Sequence, residues 1–263
     1  MKKNIFFRFD ADFGNRAGLG HFYRSFKIFN MLKHRFKNAK FFILTRENKE
    51  SLNIIKAKFD IPIINYDKEF FKKYKFVKDS DIFIIDTLGK DLKLIKFLSN
   101  LNAKLILFDH IDKKYIKNAL MINGIFFAKK KLSFNSNKIK ILQSPKYILL
   151  NKDYIIKKKY TAKKICKVVV ASGGADKKNL LYSVSKVLLK LNIKKIIVII
   201  GKGVLAKNKI FSLEKEKTIN LIRNSENIKK YFDMGDANLV SGGTVMFESI
   251  ATGKPTIVIK NYE

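Results

Sequence analysis

The sequence predicts an α/β protein of two doubly wound domains facing across a cleft. Three observations lead there. Short apolar runs alternate with stretches of helical periodicity. The alternation breaks once, in a lysine- and asparagine-rich segment, and then resumes. The chain has 263 residues, enough for two domains of ordinary size.

In chain order, strands are expected at Ile5–Phe9, Lys40–Thr45, Ile61–Asn65, Asp81–Thr87, Lys104–Asp109 and Leu120–Asn123. Several are unbroken apolar runs, as in parallel strands buried on both faces. Between them Phe22, Phe26, Phe29 and Leu32 recur at helical spacing, as do Leu92, Ile95 and Leu98. From Lys129 to Lys164 the pattern weakens and Pro145 interrupts it, so the domain boundary is placed near residue 150, giving domains 1–150 and 151–263. Strands then follow at Lys167–Ala171, Lys195–Ile200, Ala237–Ser241 and Thr256–Lys260, with helices at Asn179–Leu191, Asn227–Phe232 and Thr244–Ala251. A cleft between two such halves is a usual ligand site.

No secretory signal follows Met1, and the longest apolar run, Ile196–Ile200, is too short to cross a bilayer. With a single cysteine, Cys166, the chain is expected in a reducing cytoplasm. The formal net charge is +33. Nucleic-acid binding is one explanation of such charge. Arginine is scarce, however (Arg8, Arg16, Arg24, Arg35, Arg46, Arg223), and base readers lean on arginine forks. The lysines are scattered, and Asn, Ile and Phe are abundant, as AT-rich codons give. No specific nucleic-acid partner is expected; a general attraction for anionic substrates is.

Three constellations carry chemistry. The first is Arg8 and Asp10, then Gly18-Leu19-Gly20-His21, then Arg24. The glycines let the backbone turn sharply. His21 falls at a helix start, whose positive end disfavours imidazolium, so a neutral ring could act as general base. Arg8 and Arg24 could hold an anion or orient Asp10. A loop glycine pair with a histidine capping a helix would look the same. It is not a dinucleotide fingerprint, since Tyr23 stands where a third glycine belongs.

The second is Ser172-Gly173-Gly174-Ala175-Asp176, between a strand and a helix. It fits a phosphate cradle and equally an ordinary tight turn. The third is Ser241-Gly242-Gly243-Thr244, then Glu248, then Gly253-Lys254-Pro255. Thr244 is the expected N-cap, and Glu248 lies one turn on, where a carboxylate could accept from a ribose diol.

The ordered set Arg-x-Asp, Gly-x-Gly-His-x-x-Arg, Ser-Gly-Gly-Ala-Asp and Ser-Gly-Gly-Thr…Glu…Gly-x-Pro resembles the UDP-sugar hydrolases of pseudaminic acid biosynthesis and their spore-coat polysaccharide relatives. These belong to the B-type glycosyltransferase (GT-B) superfamily of paired Rossmann-like domains, with the MurG-type transferases. The resemblance spans nearly the whole chain. It implies His21 as catalytic base. It implies Arg8, Asp10, Gly18, Gly20 and Arg24 near the substrate, and Gly173, Gly174, Ser241, Gly242, Gly243, Thr244 and Glu248 around UDP. The implied reaction is water attack on the anomeric carbon of a UDP-linked aminodeoxy sugar (a 2,4-diacetamido-2,4,6-trideoxyaltropyranose or similar). UDP is released, and neither metal nor cofactor is needed. A monomer is expected.

The chain departs from that pattern in three places. The stretch from Asp10 to Gly18 is slightly long, Asp86-Thr87-Leu88 replaces an Asp-His-Tyr motif, and the sequence stops at Asn261-Tyr262-Glu263, where relatives continue. A shortened second domain is therefore expected. A MurG-like glycosyltransferase and a non-catalytic nucleotide-sugar binding protein are the competing expectations.

Overall fold

The computed structural model describes residues 3–10, 20–45, 49–65, 70–73, 77–87, 91–110, 115–124, 138–154, 164–176, 178–223, 225 and 227–260. It divides into two compact units, Met1–Leu149 and Leu150–Glu263.

The first unit runs β1 (Asn4–Phe9), α1 (Gly20–Arg35), β2 (Lys40–Thr45), α2 (Lys49–Lys58), β3 (Ile63–Asn65), α3 (Phe70–Lys73), β4 (Ile82–Asp86), α4 (Leu92–Asn100), β5 (Lys104–Phe108), β6 (Ala119–Asn123) and β7 (Ile139–Gln143). Its strands form one parallel sheet in the order β3-β2-β1-β4-β5-β6-β7. Side-chain alternation sorts the core onto two faces. Phe7, Phe9 and Ile84 pack with Phe22 and Phe29 of α1 and Ile55 of α2. Phe6, Ile85 and Leu105 pack with Leu94, Ile95 and Leu98 of α4. Strand order reverses between β1 and β4, the kind of switch point at which doubly wound sheets bind ligands. Phe9 and Asp86 are register partners there.

The second unit contains β8 (Lys167–Ala171), α5 (Leu180–Lys190), β9 (Lys195–Ile200), β10 (Ile219–Arg223), α6 (Ile228–Met234), β11 (Ala237–Ser241), α7 (Thr244–Ile250) and β12 (Thr256–Ile259). These strands are also parallel, in the order β10-β9-β8-β11-β12, with the reversal between β8 and β11. Val168, Val170 and Val198 face α5, and Val169 and Val240 face Phe232 of α6 and Val245 of α7. Both units are thus Rossmann-like.

Four elements go beyond the sequence expectation. α2 and α3 fill the stretch between β2 and β4, β7 lies inside the lysine-rich segment, and β10 forms the edge of the second sheet.

Candidate active site

Each unit places its chemistry-bearing residues at its own strand-order reversal. In the first, Asp86 ends β4. It shares the sheet face of Ile84, two residues back, and so points at α1. On α1, His21 and Arg24 are three residues apart and project from one side. His21 Nδ1 lies 2.5 Å from Asp86 Oδ1. Arg24 grips the same carboxylate with two nitrogens, Nε to Oδ2 at 2.6 Å and Nη2 to Oδ1 at 2.5 Å. Its third nitrogen, Nη1, donates to Asp109 Oδ2 at 2.6 Å. The guanidinium also lies over the ring of Phe108, 5.1 Å from its centroid.

Asp86 is fully buried, which by itself raises the pKa of a carboxyl group. The hydrogen bonds from Arg24 and His21, with the charges of both, outweigh burial and hold it below the ordinary carboxylate value. Burial likewise opposes the charge on Arg24, but Asp86 and Asp109 together push its pKa up. The group is therefore an ionised carboxylate held by a guanidinium, with a histidine ring on its edge. The His21 side chain keeps 15% of its surface exposed. An Nδ1–H donated to Asp86 leaves Nε2 as the lone-pair nitrogen, the state a general base requires.

Arg8 takes a different part. It is fully buried on β1 and bonds Asp10 Oδ1 at 2.6 Å and the carbonyl of Phe9 at 2.7 Å; its Nε lies 3.0 Å from Asp91 Oδ2. Asp91 is the N-cap residue of α4 but makes no side-chain cap bond. The described partner of the His21 ring is Asp86, which shares the α1 face of the sheet. Likewise the forks of Arg8 and Arg24 grip carboxylates of the protein itself. Gly20 is the first residue of α1, with open space where a side chain would stand, and Gly18 lies outside the described residues.

In the second unit the two glycine loops lie side by side at the reversal. Ser241 Oγ donates to the Ser172 carbonyl at 2.9 Å, and Val245 lies against Gly173. The amino end of α5 is occupied by Asp176, whose carboxylate accepts from Leu180 N at 2.7 Å and Leu181 N at 3.1 Å. Two amides of that helix end are therefore taken by the protein's own carboxylate. The loop packs on the turn after β9, where the Gly203 amide donates to the Gly174 carbonyl at 2.8 Å. At α7 the N-cap is Gly243, at φ 107°, a left-handed conformation suited to glycine, and no side chain caps the helix. Thr244 is its first helical residue rather than the cap. Space is open above Gly242 and Gly243. Thr244 and Glu248, one turn apart, are both half-buried. Tyr154, in a short turn at 152–154, is buried beside this helix. Burial, and then the charges of Glu248, Asp233 and Asp153, push its phenol pKa up.

Two functional residues escaped the sequence reading, Asp86 as partner of His21 and Asp109 as partner of Arg24. The signal was a carboxylate at the carboxyl end of each buried strand, the last residue of β4 and the first after β5. Among the described residues no three His, Cys, Asp or Glu side chains converge as metal ligands, and no helix is long and apolar enough to cross a membrane.

No family model matches the chain. It is similar to the spore coat polysaccharide biosynthesis protein SpsG of Bacillus subtilis, 25% identical over 267 residues, covering 96% of this chain and 76% of that protein. An uncharacterized protein of Methanocaldococcus jannaschii is 27% identical over 264 residues, covering 94% of this chain. The chain spans 54% of that relative's length. Among solved structures, a glycosyltransferase from Rickettsia africae superposes with a TM-score of 0.59 at 14% identity, covering 98% of this chain and 79% of that one. MurG of Acinetobacter baumannii superposes with a TM-score of 0.57 at 11% identity, covering 98% and 86%. These likenesses show the fold.

Proposed function

We propose that this protein acts on a UDP-sugar in surface polysaccharide biosynthesis, as a hydrolase that removes UDP from a UDP-linked aminodeoxy sugar. The observation that carries this is the His21–Asp86 pair at the start of α1. Asp86 accepts the Nδ1 proton, so Nε2 is free to take a proton from water as that water attacks the anomeric carbon. The C–O bond to the diphosphate breaks, its electron pair leaves with UDP, and the sugar is released with inverted configuration. Arg24 keeps Asp86 ionised through this step. Arg8 and Asp10 pair at the carboxyl end of β1, on the substrate side of the site. Gly20, with open space where a side chain would stand, lets the sugar approach the start of α1.

UDP is assigned to the second unit. Gly173, Gly174, Ser241, Gly242, Gly243 and Thr244 form the paired loops, whose open space at α7 suits a diphosphate. Glu248 accepts from the ribose hydroxyls. The similarity to SpsG, a polysaccharide biosynthesis protein by name, supports the pathway assignment. The test is a product assay on a panel of UDP-linked aminodeoxy sugars, reading released UDP and, by NMR, the anomeric form of the sugar. Absence of UDP release from every member overturns the reading.

A glycosyltransferase reading is favoured by the solved Rickettsia africae neighbour, a glycosyltransferase by name. The same base would then deprotonate an acceptor hydroxyl, and UDP release would depend on added acceptor.

A further inference from the structure

Arg24 is shared between two carboxylates, and only one of them touches His21. Asp86 takes Nε and Nη2, while Asp109 takes Nη1. Asp109 follows β5 directly and sits at φ 49°, in the left-handed region that non-glycine residues seldom occupy. Its amide donates to the Ile122 carbonyl on β6 at 3.0 Å, which holds that backbone in place. Such conformations persist where surrounding structure fixes them, and they gather at functional sites. The consequence here is directional: the Asp109 carboxylate meets the edge of the guanidinium that Asp86 leaves unused.

From this geometry we infer that Asp109 is a positioning residue for His21, acting through Arg24. Building on the hydrolase reading above, it sets both the orientation of the guanidinium on Asp86 and the readiness of the imidazole to accept a proton. Two effects combine. Anchoring Nη1 fixes the plane of the fork, and with it the carboxylate oxygen shared by Arg24 Nη2 and His21 Nδ1. Drawing part of the Arg24 charge toward itself, Asp109 leaves more of the Asp86 charge to the ring. Other charged groups at this end of the sheet, among the described residues, are Arg8 and Asp10 at the end of β1, Asp91 ahead of α4 and His110 after Asp109. Arg8 is engaged with Asp10 and Asp91.

The sign of the effect is fixed by charge. Removing a negative group near an imidazole disfavours its protonated form. Asp109→Asn should therefore move the acid limb of the kcat profile to lower pH, by about one pH unit, while lowering kcat at the optimum. Arg24→Gln removes a positive group and should move the limb to higher pH. Asp109→Glu keeps the charge and should leave the limb in place. NMR titration of the His21 ring in the same variants, without substrate, reads the same shifts whether or not a UDP-sugar is turned over. Opposite movements for Asp109→Asn and Arg24→Gln establish the role. A ring titration unmoved in a folded Asp109→Asn protein overturns it, even if hydrolysis proceeds. Ring shifts without any UDP-sugar hydrolysis would leave this inference standing and sink the hydrolase reading instead.

Discussion

Asp86 and His21 stand 65 residues apart in sequence and 2.5 Å apart in the folded chain, joined between a strand end and the first turn of a helix. The bond fixes which imidazole nitrogen carries the proton. Asp86→Asn preserves shape but removes the charge and allows the amide to donate toward Nδ1. The ring would then hold its proton on the wrong nitrogen. UDP release should fall by about 10²–10⁴-fold, and the ring's ¹⁵N shifts should report the changed tautomer. An unchanged rate in a folded variant would remove the dyad from the mechanism.

Much of this arrangement was legible in the sequence, and what was not has a physical cause. Buried strands such as Val168–Ala171 and Ile196–Ile200 announce themselves, because both faces are apolar. β7 and β10 are largely half-buried or exposed and carry Lys140 and Asn220, so no apolar run marks them. α2 hid because Ile55 is its only described side chain that reaches the core. His21 and the Gly242–Gly243 loop were legible because their chemistry is local. Asp86 and Asp109 were not, since their roles exist only once three parallel strands and α1 are assembled. Thr244 was misplaced by one residue because Gly243 itself takes the cap conformation.

His21→Asn should depress turnover of a confirmed substrate by about 10²–10⁴-fold and leave UDP affinity nearly unchanged, since the nucleotide is assigned to the other unit. His34, exposed in the last turn of α1, provides the control and should tolerate replacement. Steady-state kinetics beside calorimetric UDP titration would separate the two effects.

The Asp86 carboxylate also predicts an acid limit to stability. Its folded-state pKa lies below the ordinary value of 3.8, so its ionised form stabilises the fold above that pH. That contribution is lost as pH falls through the lower folded value. Chemical denaturation of the wild type should show stability dropping below about pH 4. Asp86→Asn should be less stable near neutrality by about 3 kcal/mol, because Arg24 loses its buried partner. Its stability should also fall less steeply across the acid window. Parallel curves for the two proteins would contradict the linkage.

Glu248 lies on the same face of α7 as Thr244, half-buried. If it accepts hydrogen bonds from the ribose, Glu248→Ala should weaken UDP binding by about 1.5–3 kcal/mol, roughly ten- to hundredfold, with kcat at saturating substrate far less affected. Calorimetry with UDP and with uracil alone separates a ribose role from a base role. Equal affinity of both proteins for UDP, with the fold intact, would remove Glu248 from the site.

Gly201 supplies the sharpest steric test of the nucleotide loops. It follows β9, and a side-chain carbon there would collide with the Gly173 carbonyl oxygen and stand 2.8 Å from the Gly174 carbonyl carbon. Both neighbours are backbone, so the clash cannot be relieved by rotating a side chain. Gly201→Ala must push the 172–176 loop away from β9. That movement strains the Gly203–Gly174 hydrogen bond and the Ser241–Ser172 tie to the neighbouring loop. Overpacking of this kind costs about 1–3 kcal/mol, which thermal denaturation would register. If the paired loops hold the diphosphate, UDP affinity should fall together with stability. Ser241→Ala, which removes only the tie, should lose about 1 kcal/mol and produce a smaller drop in affinity. His21 ring titration should be untouched in both variants, because those residues belong to the other unit. Full UDP affinity in a measurably destabilised Gly201→Ala protein would mean that the loop after β8 is a structural turn, with α7 holding the nucleotide alone.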